Sequence, residues 1–178
     1  ADMDGPTLAN TLQRSLAAIP HVRGVNNHMG SLLTQQVAPM RAIMRELARH
    51  PLYFVDSRTI ASTVAADEAT RAGIPNLSRH IFLDNEPTAS HVHAQFEQLL
   101  QLARRQGHAI AIGHPYDATV SYLEQRLPAL DEEGIAVATV SGLWRLTNDN
   151  RDMFAHRQAR PGALELAQRH PATPAGQR

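Results

Sequence analysis

Residues 22–31 read VRGVNNHMGS, a short apolar strand that runs into polar side chains between two glycines. The polar run begins with Asn26, Asn27 and His28, all of which can bind or polarise a ligand. Glycine on either side allows the backbone to turn sharply or to approach a ligand closely. We therefore predict a strand that ends in a functional loop at His28.

The same pattern returns downstream, because each further apolar segment ends at a polar residue, in turn Asp56, Asp84, His114 and Ser141. Positions 28, 56, 84, 114 and 141 are 28, 28, 30 and 27 residues apart. Such an interval is the length of a strand followed by a crossover helix. The spacing predicts about five βα units with parallel strands, the last strand spanning residues 135–140.

Glycines mark the ends of the helices predicted between these strands. Gly73, Gly107 and Gly134 each come one or two residues before an apolar segment, which is the short αβ loop of an α/β fold. We predict one α/β domain over residues 1–146. Residues 147–178 are polar and contain several prolines, so we expect a largely irregular tail.

Composition limits the possible partners. The 178 residues include 17 basic and 17 acidic side chains, so no net charge favours nucleic acid or an acidic membrane surface. Cysteine is absent from the sequence, which excludes disulfides and thiolate metal sites. No apolar run approaches the ~20 residues of a membrane span. The composition therefore favours neither a nucleic-acid partner nor a membrane span.

The carboxyl ends of parallel strands meet at one edge of a sheet or one mouth of a barrel. His28, Asp56, Asp84 and His114 each follow a different predicted strand, so we expect them to share a pocket. Carboxylates and imidazoles are ligands that suit Zn²⁺ and similar divalent metals. The sequence thus predicts a metal site that activates water for hydrolysis.

Structural alternatives stand beside several of these predictions. Asp56 can form a capped turn, and Asp84 can cap an Asx turn. Arg79 and His80 precede a predicted strand and are expected at its opposite end, away from the site. Trp144 can line a sugar subsite, although packing at the edge of the domain is the simpler expectation.

Four segments together resemble the signature segments of the divergent polysaccharide deacetylase family, the second such family. In order, they are GVNNHMGS at 24–31, FVDSRT at 54–59, FLDN at 82–85 and AIGHP at 111–115. The resemblance extends over about residues 24–141. It implies a distorted (β/α) barrel of the glycoside hydrolase/deacetylase type, which would be incomplete here.

The resemblance also implies a metal-dependent deacetylase acting on N-acetylated polysaccharide or peptidoglycan fragments, located in the periplasm of Gram-negative bacteria. His28, His114 and Asp56 would be ligands of a divalent metal, with Zn²⁺ as the first choice, and His114 and Asp56 would also be catalytic. The remaining predicted site residues would contact the substrate: Asn26, Asn27, Ser57, Arg58 and Asp84.

The family pattern begins with an apolar strand ending in an Asp-Asp pair and two further βα units, and these do not precede residue 24 here. A barrel of five units cannot close, so we expect a missing N-terminal segment or a second chain to complete it. A non-catalytic glycan-binding or scaffold protein of cell-wall metabolism is therefore the alternative function. In a generic doubly wound α/β domain, His28 and His114 would instead lie far apart.

Overall fold

Parallel strands and helices alternate in a computed structural model that describes residues 3–148. Helix α1 (Gly5–Ala17) precedes strand β1 (Gly24–Asn26). The next elements are, in order, α2 (Val37–Leu47), β2 (Tyr53–Asp56), α3 (Ala65–Arg71), β3 (Asn76–Ser78), β4 (Ile81–Phe82), α4 (Ala89–Gln106), β5 (Ala111–Ile112) and α5 (Asp117–Arg126). A helix follows each strand except β3, which runs into β4. Short 3-10 helices lie at Leu33–Gln35 and Leu127–Ala129.

The strands form two small parallel sheets, in the orders β1-β2-β3 and β4-β5. Only Arg79 and His80 separate β3 from β4. At this point the chain exchanges partners: the Arg79 N–H donates to the Asp56 carbonyl at 2.9 Å, and the His80 N–H donates to the Ile110 carbonyl at 2.9 Å. One interrupted strand therefore joins the two sheets.

The predicted parallel α/β arrangement is confirmed, whereas the barrel is not, because neither sheet among residues 3–148 closes on itself. Each sheet has its own hydrophobic core. Met44, Phe54 and Ala69 are central to the first core, between the first sheet and helices α2 and α3. Phe96 and Leu100 of α4 form the second core with Leu83. Helices α2, α3 and α4 thus bury apolar side chains in these two cores.

Gly73 and Gly107 follow helices α3 and α4 as the sequence predicts, whereas Gly134 follows a turn and precedes no strand. Gly107 follows α4 with φ of 80° and adopts the left-handed conformation of a helix C-cap, which glycine reaches without a steric penalty. The backbone N–H of Gly107 donates to the Ala103 carbonyl at 2.8 Å. This turn directs the chain from α4 into β5.

The predicted fifth strand at residues 135–140 is wrong. Residues 135–139 have no regular structure, and residues 140–148 are helical. The apolar residues of this segment suggested a strand, but Thr139 indicates the start of a helix. Its hydroxyl oxygen accepts from the Gly142 N–H at 3.1 Å, as an N-cap does. Val137 is 69% exposed, so the segment also lacks a buried face. Four βα units are present in residues 3–148.

Most of the predicted tail, residues 149–178, lies outside the described residues. No helix within residues 3–148 is long and apolar enough to cross a membrane.

Candidate functional site

His28 and His114 meet at the carboxyl ends of the strands although they belong to different sheets. His28 follows β1, and His114 follows β5. Their ring centroids lie 6.0 Å apart, and the rings are nearly perpendicular at 80°. The expectation that topology brings these two residues together is therefore met, and the generic doubly wound fold with distant histidines is wrong.

Asp84 holds the His114 ring in place. The backbone N–H of His114 donates to Asp84 Oδ2 at 2.6 Å, and the ring Nδ1 lies 3.0 Å from Oδ1. The Thr119 hydroxyl also donates to Oδ2, at 2.8 Å. Asp84 is 2% exposed, so its carboxylate does not face a substrate. It orients the half-buried His114 imidazole instead.

The pKa of Asp84 reflects these contacts. Burial by itself would raise the pKa, but hydrogen bonds from the His114 N–H, the Thr119 hydroxyl and the His114 ring outweigh it. The pKa therefore lies below its ordinary value of 3.8. Asp84 is ionised at neutral pH, and an ionised carboxylate favours the His114 tautomer with hydrogen on Nδ1.

Gly113 permits this arrangement. A Cβ atom at residue 113 would lie 3.1 Å from Asp84 Oδ2 and 3.3 Å from the Thr119 methyl carbon. Either contact is tighter than ordinary packing. Glycine thus allows the backbone before His114 to lie directly against the carboxylate.

Asp56 caps a turn, as the structural alternative expected. Its Oδ1 accepts from the Arg58 N–H at 2.8 Å, and its Oδ2 accepts from the Thr63 hydroxyl at 3.1 Å. Asp56 is 1% exposed. Its contacts therefore stabilise the loop after β2, and both carboxylate oxygens already have partners.

Asn26, Asn27 and Ser57 connect the loops that follow β1 and β2. Asn27 Oδ1 accepts from the Ser57 N–H at 2.8 Å, and Asn26 Nδ2 donates to Ser57 Oγ at 3.2 Å. These predicted substrate contacts thus lie at the site and hold its two loops together. The amide pair fixes the loop that carries His28.

Two non-glycine residues in these loops adopt the left-handed conformation, Met29 with φ of 57° and Arg58 with φ of 47°. This conformation is uncommon for side chains with a Cβ atom and persists where neighbours enforce it. The Thr59 hydroxyl donates to the Met29 carbonyl at 3.3 Å. The side chains of both strained residues are exposed, so the turns present them at the site.

Arg79 is the site residue that the sequence placed at the wrong end of its strand. Its Nε donates to the Ser57 carbonyl and its Nη2 to the Arg58 carbonyl, each at 2.6 Å. The guanidinium also lies 5.2 Å from the centroid of the Phe82 ring, and that ring lies 5.5 Å from the His114 ring. Arg79 therefore links the loop after β2 to the half of the site that carries His114.

His80 was also expected away from the site, and it lies at the junction of the two sheets. Its Nδ1 accepts from the Ile110 N–H at 3.0 Å. Burial lowers the pKa of His80, and the neighbouring His108 and Arg58 lower it further. The neutral ring therefore suits its role as an acceptor.

The sequence model of a family described as divergent polysaccharide deacetylase matches residues 1–144. The chain belongs to the divergent polysaccharide deacetylase family. The resemblance carried by its four signature segments is thereby confirmed.

The relatives of this deacetylase-family chain are uncharacterized. The uncharacterized protein YibQ of Escherichia coli (strain K12) is 38% identical over 124 residues, which are 70% of this chain and 39% of YibQ. An uncharacterized protein of Haemophilus influenzae is 42% identical over 122 residues, 68% of this chain and 43% of the relative. The chain spans about two fifths of the length of these curated relatives.

A solved structure shares the fold. The crystal structure of uncharacterized protein ATU2773 from Agrobacterium tumefaciens C58 matches with a TM-score of 0.77 and 24% identity, and the match covers 80% of this chain and 58% of that chain. At this level of identity the match supports the architecture alone.

The described residues provide only part of the ligand set for the metal that the resemblance to the deacetylase family implies. Residues 3–148 contain no group of three or more His, Asp or Glu side chains that could hold a metal ion. His28 and His114 supply two imidazoles, whereas catalytic zinc sites use three protein ligands. The described residues do not complete the predicted Zn²⁺ site, so we derive no reaction step through a metal.

Proposed function

We propose that this chain contributes the proton-transfer part of a carbohydrate deacetylase acting on N-acetylated cell-wall glycan. The single observation that carries the proposal is the Asp84–His114 pair, which faces His28 across the ends of two sheets. A carboxylate bound to one ring nitrogen leaves the other nitrogen available for proton transfer. Family membership supplies the substrate class.

Hydrolysis of an N-acetyl group needs a proton to move twice. As water attacks the acetamide carbonyl carbon, His114 Nε2 would accept a proton from that water. The same nitrogen would then donate the proton to the amine as the C–N bond breaks, giving acetate and the free amine. Asp84 would stabilise the imidazolium between the two steps, because its ionised carboxylate contacts Nδ1.

Zn²⁺ binding by His28, His114 and Asp56 is a competing proposal, because a metal ion on His114 would occupy Nε2 while Nδ1 contacts Asp84. The Asp56 part is the weakest, since the loop after β2 already uses both carboxylate oxygens. Metal analysis after Zn²⁺ loading tests it, because this proposal predicts one ion per chain in the wild type and none in the His28→Ala variant. An equal metal content in both would refute the assignment.

Acetate release from N-acetylglucosamine oligomers tests the catalytic proposal. We expect His114→Ala to abolish release, and Asp84→Asn to reduce it strongly. His93→Gln is the matched control, because His93 is exposed on α4 and contacts Tyr122 instead of the site. Unchanged release by His114→Ala would refute the proposed role.

A glycan-binding protein without turnover is the second candidate. The incomplete set of metal ligands within residues 3–148 favours it. Calorimetric titration with the same oligomers separates the two functions, because binding without acetate release supports the second candidate alone. We propose the periplasm as the location, which cell fractionation tests.

A further inference from the structure

A cleft of about 550 Å³ lies at the end of the first sheet opposite to His28 and His114. Arg23, Tyr53 and Pro75 line it from the starts of β1, β2 and β3, and Trp144 and Arg145 line it from the helical residues 140–148. Its volume is within the range of small-molecule sites. The cleft is therefore separate from the candidate deacetylase site.

The charged side chains around this cleft are basic. Arg23 and Arg145 line it, and the lining includes no Asp or Glu. None of the ion pairs found within residues 3–148 involves either arginine. Arginine prefers carboxylate and phosphate groups, which match its planar set of donors. A ligand for the cleft would thus carry an acidic group.

Two aromatic rings provide the rest of the surface. Tyr53 and Trp144 are both half-buried, and each combines an apolar ring with a polar tip. The Tyr53 ring lies over Gly24, where an added Cβ would be 2.1 Å from a ring carbon. Glycine at this position therefore lets the Tyr53 ring lie directly against the backbone at the start of β1.

We propose that this cleft binds a sugar that carries an acidic group. A pyranose ring has an apolar face for the aromatic rings and hydroxyls at its edge for Ser141 and the arginines. The acidic group would pair with Arg145 and Arg23. This inference concerns a second site and does not depend on turnover at His114.

Trp144 reports on the cleft directly, because it is the single tryptophan of the sequence. The probes are N-acetylmuramic acid, N-acetylglucosamine and N-acetylglucosamine 6-phosphate, each titrated into the full chain while tryptophan emission is recorded. We expect saturable changes with either acidic sugar at a concentration at least tenfold lower than with the neutral one. The two acidic probes distinguish a carboxylate from a phosphate ligand.

Variants locate the response. Arg145→Gln should weaken binding of the acidic sugar about two- to fivefold, as expected for one exposed ion pair. Arg105→Gln, at an exposed arginine near the end of α4, should leave it unchanged. The His28→Ala/His114→Ala variant should also keep the response, which separates this inference from the proposed deacetylase function.

Three results would overturn the proposal. They are equal responses to the neutral and acidic sugars, no response to any probe at high millimolar concentration, and binding of benzoate as tightly as the acidic sugars. Benzoate carries a ring and a carboxylate but none of the sugar hydroxyls.

Discussion

Replacing Asp84 by asparagine preserves the shape of the side chain while removing its charge. In the wild type, the His114 N–H and the Thr119 hydroxyl both donate to Oδ2, and the His114 ring Nδ1 faces Oδ1. The asparagine oxygen can take the Oδ2 position, which places its amide group against Nδ1. Nδ1 must then accept a hydrogen bond, so the ring proton moves to Nε2.

The stability cost follows from these three contacts. Hydrogen bonds to charged groups contribute about 1.5–3 kcal/mol, and neutral ones about 1 kcal/mol. If each contact weakens by roughly 0.5–1 kcal/mol, the free energy of unfolding should fall by about 2 kcal/mol. For a chain of this size the melting temperature should fall by roughly 4–8 °C. Urea unfolding followed by circular dichroism measures the change.

The dependence on pH provides a second measurement. Because the pKa of Asp84 is lowered in the folded state, its contribution to stability is fully present above the ordinary value of 3.8 and is lost as the pH falls below it. The difference in the free energy of unfolding between the wild type and Asp84→Asn should thus shrink as the pH falls below 3.8. Asp131→Asn, at an exposed turn, is the control and should change stability by less than about 0.5 kcal/mol.

Nitrogen NMR of the His114 ring completes the test. We expect hydrogen on Nδ1 in the wild type and on Nε2 in Asp84→Asn, together with a loss of acetate release of at least about 100-fold. An unchanged tautomer with wild-type stability would refute the assignment of Asp84 as the positioning residue.

Three further substitutions test other parts of the site. Arg79→Gln should lower stability by about 1–3 kcal/mol, because the carbonyls after β2 lose a charged donor, whereas Arg105→Gln should be neutral in the same thermal melts. Gly113→Ala forces a methyl group within 3.1 Å of the buried carboxylate oxygen, so we expect lower stability and a shifted His114 ring signal in NMR spectra. Gly24→Ala would place a methyl group 2.1 Å from the Tyr53 ring; the ring must move, and the tryptophan response to acidic sugars should weaken.

The sequence predicts the parts of the fold that depend on local patterns. Apolar segments that end in polar residues place His28 and Asp84 correctly at strand ends, and Gly107 marks a helix end because its left-handed turn is a local requirement. Strand β3 was missed, since two of the three residues of Asn76–Ser78 are polar and the segment forms a strand by pairing with β2. The position of Arg79 follows from that pairing and so could not be predicted either.

In the site, too, the sequence predicts what depends on local patterns and not what depends on contacts between distant residues. Residue type and spacing suffice to predict that the imidazoles of His28 and His114 lie close together, because the carboxyl ends of parallel strands lie on the same side of the fold. They cannot distinguish a ligand from a turn cap: Asp56 satisfies both of its oxygens through Arg58 and Thr63, and that outcome depends on the conformation of the loop.

The exchange of partners at Arg79 and His80 gives the molecule two cores joined by a single interrupted strand. His28 is anchored to one core and His114 to the other. Any molecule that touches both imidazoles must therefore act as a bridge between the halves, and it should make them melt as one cooperative unit. Slower amide exchange on both sides of the junction would be the signature of such a ligand.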